Sequence, residues 1–197
     1  MLDFYFETEK QFLDLIRIIP LENNEETFSP ILYNILQSSC GQVENMMRLL
    51  CDRFELEYDR YSKFPKYYEL LNKNGTLERR KILQKKTQTT YTPFQINDGE
   101  LTPSWWSGYN DTKHFLPDGL VAGNLKNTVQ ALSAVYILHC MGYYALYWCD
   151  EFFDEKNWAD FEPMYTHDGE FVENKLSNLP KSELFHPITA NFRGVPV

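Results

Sequence analysis

Apolar residues along this chain fall mainly at helical spacing. Phe4, Phe12, Leu15, Ile16 and Ile19 set a first stripe that Pro20 ends, and an acidic loop follows to Thr27. Ser29-Pro30 predicts a sharp helix start, with the Ser oxygen as cap and Pro at the first helical position, where its missing N–H costs nothing. Leu32, Leu36, Ser39, Val43, Met46 and Leu50 then alternate in steps of four and three, which predicts one long helix to about Phe54. Gly41 inside it suggests a close helix contact.

Beyond Pro65 the pattern predicts a short helix, and Asn74-Gly75 a turn. Thr87, Thr89, Thr90, Tyr91 and Thr92 favour extended backbone, so one or two short strands are expected near residues 80–95, closed by Pro93-Phe94. Thr102-Pro103 repeats the cap-plus-proline signal and opens a helix expected to reach His114 or Phe115, broken by Pro117-Asp118-Gly119. A long helix follows, firmly from Leu125 to about Tyr147. One seam runs through Leu125, Val129, Leu132, Tyr136 and His139, and a second through Ala131, Val135 and Leu138. A helix apolar on both sides belongs at the centre of a bundle. The expected fold is all-α, a four- to five-helix bundle over residues 1–150 with a small β excursion near 80–95. Residues 151–197 are expected to form an irregular, acidic and aromatic tail packed on it.

Composition narrows the class. With 43% hydrophobic and 24% charged residues the chain is globular rather than disordered. Its net charge of -9 argues against broad phosphate-backbone binding, which depends on Lys and Arg. A local basic strip remains: Arg79, Arg80, Lys81, Lys85 and Lys86. Cys40, Cys51, Cys140 and Cys149 form no C-x-x-C pair, and Met1 opens an acidic amphipathic segment with no signal-peptide pattern. Free thiols, a cytoplasmic location and no membrane span are expected. No metal or cofactor is expected; Thr166–Glu170 reads as a turn.

The chemistry concentrates in Trp105-Trp106-Ser107-Gly108-Tyr109-Asn110-Asp111-Thr112-Lys113-His114. On a helix, Trp106, Asn110 and Lys113 share a line, flanked by Tyr109 and His114. If this face packs inward, the ammonium needs an acidic partner, and Glu44 on the long second helix is the candidate. Two readings stay open. In one, Asn110, Lys113 and Glu44 lock two helices in register. In the other, His114 acts as general acid or base and Lys113 stabilises phosphate charge, as metal-independent RNA cleavage requires. Tyr143, Tyr144, Tyr147 and Trp148 read as core, with a base-stacking platform as the alternative.

The capped second helix, the Trp-Trp-x-x-Tyr-Asn-x-x-Lys-His helix and the Ala/Leu-rich helix after it resemble the HEPN-like helical proteins over roughly residues 29–148. The resemblance implies an antiparallel bundle that dimerises. It also implies RNA cleavage by an Arg followed, four to six residues on, by a His. Here His114 stands for that His, but Tyr109, Gly108 and Ser107 occupy the place of the Arg. Asn110 and Lys113 are the residues left to do its work. Tyr109, Trp106, Glu44, Arg79, Arg80 and Lys85 are the expected binding residues, toward RNA or a nucleic-acid-processing partner. A non-catalytic protein-interaction module is the alternative.

Overall fold

A computed structural model describes residues 1–114, 118–152 and 181–187. Five helices occur among them: α1 (Leu2–Ile16), α2 (Pro30–Arg53), α3 (Phe64–Leu71), α4 (Ser104–His114) and α5 (Leu125–Phe152). Three short strands accompany them: β1 (Ile82–Gln84), β2 (Thr90–Tyr91) and β3 (Phe185–Pro187). The fold is thus mostly helical with a small antiparallel sheet in the order β2-β1-β3.

The helix starts follow from local chemistry. Ser29 is extended, and its Oγ accepts from the Leu32 N–H at 3.1 Å, with Pro30 in the first turn. Asn124 does the same for α5: its Oδ1 accepts from the Asn127 N–H at 2.9 Å, while its amide donates to Glu26 at 3.2 Å. The start of α4 falls one step later than the cap-plus-proline pattern suggests. The Pro103 carbonyl accepts from Trp106 and Ser107, and the Thr102 hydroxyl meets that of Ser107 at 3.0 Å.

α5 is the central helix, as its double seam predicts; every residue from Ala131 to Met141 is buried. It packs mainly on α2, and the two run in the same direction. Leu125 and Lys126 donate to Thr27 and Glu25 at their common start, and Thr128 Oγ1 donates to the Leu32 carbonyl. The same separation in sequence places Gly142 beside Met46, where an added Cβ would stand 3.4 Å from the Met methyl. This central pair therefore departs from the expected antiparallel arrangement. The reason is topological: α3, the hairpin and α4 intervene between α2 and α5, and they supply the return path that a parallel pair needs. The close helix contact also lies at Gly142. Nothing stands within 4 Å of a Cβ built on Gly41.

The short strands expected near 80–95 form a hairpin, Ile82 opposite Tyr91 and Leu83 opposite Thr90. Its other edge carries β3, with Leu83 opposite His186 and Gln84 opposite Phe185. Of the expected tail, Glu151 and Phe152 end α5, and 181–187 are described, with Phe185–Pro187 forming this strand. Tyr143, Tyr144, Tyr147, Trp148 and Cys149 as side chains, and Thr166–Glu170, lie outside what is described.

On α1 the buried stripe is Tyr5, Glu9, Phe12 and Ile16, whereas Phe4 is 60% exposed. The stripe keeps the expected spacing but holds a carboxylate in the middle.

Candidate functional site

α4 places its aromatic residues in the core. Trp105 is 1% exposed and donates Nε1–H to the Pro93 carbonyl at 2.5 Å. The Trp106 ring stacks on Phe64 at 4.0 Å and 17°, and Tyr109 leans on Trp106 at 5.1 Å. Two glycines let α4 sit this close to its neighbours. A Cβ on Gly108 would meet the Asn127 amide at 2.6 Å, and one on Gly119 would meet the Asp111 carbonyl at 2.5 Å. Trp106 and Tyr109, singled out as binding residues, are therefore buried packing residues.

The polar members separate. Lys113 is exposed, and its ammonium lies 3.8 Å from the centroid of the Tyr109 ring, a cation–π contact. Asn110 is half-buried. His114 closes the helix, and its side chain lies outside the described part. Glu44 and Lys113 both act on the buried Cys40 thiol, in opposite senses, while burial pushes that thiol well up. Among the described residues, however, no ion pair joins Lys113 to Glu44. The expected charged lock between α2 and α4 is replaced by a neutral one: Gln37 Nε2 donates to Thr112 Oγ1 at 2.8 Å, and Thr112 donates to the Tyr109 carbonyl at 2.6 Å. A neutral pair crosses a buried interface without the desolvation cost of an ammonium.

The basic strip is exposed at Arg79, Lys85 and Lys86, half-buried at Lys81 and buried at Arg80, and Lys85 Nζ donates to the Ser182 carbonyl at 2.5 Å.

A second polar cluster has no counterpart in the sequence reading. Glu9 is 2% exposed. Its carboxylate accepts from the Tyr5 hydroxyl at 2.8 Å, from the Ser182 hydroxyl, and from the N–H groups of Glu183 and Leu184 at 3.2 and 3.1 Å. Four donors meet this carboxylate. Burial and the adjacent Glu9 push the Tyr5 phenol well up, so it remains a donor. The clue available in the sequence was the position of Glu9, four residues after Tyr5 and three before Phe12 on one helical stripe.

His139 flanks this cluster, its ring 5.7 Å from that of Tyr5. It is buried, as its place on the seam predicts, and its Nε2 has no hydrogen-bond partner among the described residues. Burial pushes its pKa down to about 4, which keeps it neutral.

No family, curated protein or solved structure matches this chain. Among the described residues no cluster of His, Cys, Asp or Glu could hold a metal ion, and no helix is long and apolar enough to cross a membrane. Burial pushes the Cys51 and Cys140 thiols up to about 12, far from a nucleophilic thiolate.

Proposed function

We propose that the chain is a non-catalytic protein-interaction module in which α4 is a structural helix. The burial of Trp105, Trp106 and Tyr109 carries this reading. The aromatic face expected to hold a ligand is filled by Phe64 and Phe94, with Trp105 tied to the Pro93 carbonyl. A HEPN-like protein without the Arg ahead of His114 fits the same role. The net charge of -9 and the burial of Arg80 weigh against RNA as the main partner.

The contact surface in this reading is apolar. Phe28, Ile31 and Val121 are each at least half exposed. They belong to one corner, because Phe28 pairs with Asn124 just before α5 and Ile31 lies in the first turn of α2. Solvent-facing apolar groups collected in this way favour association, here of two copies.

The test compares wild type with Lys113→Ala and His114→Ala for RNA cleavage, RNA binding and melting temperature. No cleavage by any of the three, and equally weak binding, are expected. Cleavage by wild type that either substitution abolishes at unchanged stability would overturn the reading. Sedimentation of wild type and Ile31→Glu tests self-association, with loss of a dimer expected in the variant.

A further inference from the structure

The segment 181–187 is held the way a bound peptide is held. Most of its contacts use backbone atoms. The N–H groups of Glu183 and Leu184 go to Glu9, the Ser182 carbonyl receives Lys85 Nζ, and the Leu184 carbonyl receives the Lys85 N–H at 3.0 Å. From Phe185 onward the segment pairs antiparallel with β1. Sequence enters at three positions. The Ser182 hydroxyl donates to Glu9 and accepts from the Phe185 N–H at 2.7 Å, which turns the chain into the strand. Leu184 and Phe185 are each 1% exposed. The Phe185 ring stacks on Tyr136 at 6.1 Å and 24°, and meets Tyr91 edge-on at 6.4 Å. Lys181, Glu183 and His186 point to solvent.

The receiving face is built from elements fixed by other contacts. α1 is tied to α2 through Gln42 Nε2 and Thr8 Oγ1 at 3.0 Å, and Tyr136 belongs to the central helix. β1 is held on its far side by β2. Without the segment, this face would present a carboxylate, an open strand edge and an aromatic floor side by side. Strand addition to a sheet edge uses backbone bonds for affinity and alternate side-chain pockets for selectivity.

We infer that the face formed by Glu9, β1 with Lys85, and Tyr136 is a binding site for an extended peptide of pattern Ser-x-Leu-Phe, which the chain fills with its own residues 182–185. The occupant is defined by chemistry: a small hydroxyl side chain first, free N–H groups at the second and third positions for the carboxylate, and two adjacent apolar side chains. This peptide face is separate from the apolar corner of Phe28, Ile31 and Val121 and does not depend on self-association there.

Two measurements test it on the full chain, with a labelled peptide of sequence 181–187 as probe. In Leu184→Asp a charge replaces a buried anchor, which undocks the resident segment and leaves the receiving residues intact. This variant is expected to bind the peptide at least about tenfold more tightly than wild type, whose free site is only a minor population. Adding Glu9→Gln to that variant is expected to weaken peptide binding about tenfold, because the charge-assisted bonds are lost. In wild type, excess unlabelled peptide is expected to accelerate hydrogen exchange at Leu184 and Phe185 several-fold while residues 131–141 keep their protection. Unchanged exchange at saturating peptide overturns the inference whether or not Leu184→Asp folds. Equal peptide affinity of a folded Leu184→Asp and wild type overturns it as well.

Discussion

α1 and α4 each carry a charged side chain on a helix that packs against the α2–α5 pair, and they treat it in opposite ways. α1 turns Glu9 into the core, where four donors meet it. α4 buries its rings and keeps Lys113 outside, lying on Tyr109. The difference teaches where a charge can enter a core. The α4 motif gathers polar residues within one short stretch, but among the described residues no facing carboxylate pairs with its ammonium. Glu9 has polar neighbours in Glu7, Thr8 and Lys10, but what meets it in the core is a segment more than 170 residues away, which delivers a hydroxyl and two N–H groups. Burial of charge follows the convergence of distant donors rather than local polar density.

The contrast can be broken at its aromatic side first. Trp106→Ala removes a ring that stacks on Phe64 and leans against Tyr109, and is expected to cost about 4 kcal/mol in urea unfolding. A loss below about 1 kcal/mol would mean that α4 is not core. On the other side, Glu9→Leu removes the acceptor of the Ser182 hydroxyl and the Glu183 N–H, and a loss of about 3 kcal/mol is expected by the same assay.

His139 sharpens the comparison through pH. Its folded pKa is depressed to about 4 from 6.5, so between these values the unfolded chain binds the proton and the folded protein does not. Its contribution is fully present above pH 6.5 and is lost as pH falls toward 4, by about 3 kcal/mol in all. His139→Leu is expected to flatten that part of the stability profile, and an unchanged slope would place the titration elsewhere.

Smaller effects follow. Asn124→Ala removes the α5 cap, for about 1 kcal/mol. Lys113→Ala and Glu44→Gln are each expected within about 0.5 kcal/mol of wild type, with no coupling between them in a double-mutant cycle. A coupling above about 1 kcal/mol would reinstate the charged lock.

Much of the architecture was legible because it is written locally. Ser29-Pro30 starts α2, the double seam of α5 makes it central, and the Thr-rich run forms the hairpin. What was not legible depends on long-range pairing. The parallel run of α2 and α5 is set by everything threaded between them. β3 was hidden because three residues carry no period of their own, and only the open edge of β1 makes Phe185–Pro187 a strand. The motif on α4 showed which residues cluster but not which way they face. Gly108 and Gly119, which admit close neighbours, were the local sign that this helix lies deep. Glu9 sat on the apolar stripe of α1, but nothing nearby in sequence announced its donors.

Hydrogen exchange on wild type, Glu9→Gln and Lys113→Ala, followed at residues 183–185 and along α4, tests the central contrast most directly. Glu9→Gln is expected to strip protection from 183–185 and leave α4 as it was, while Lys113→Ala changes neither region. Intact protection at 183–185 without the carboxylate, or opening of α4 on loss of Lys113, would contradict the account.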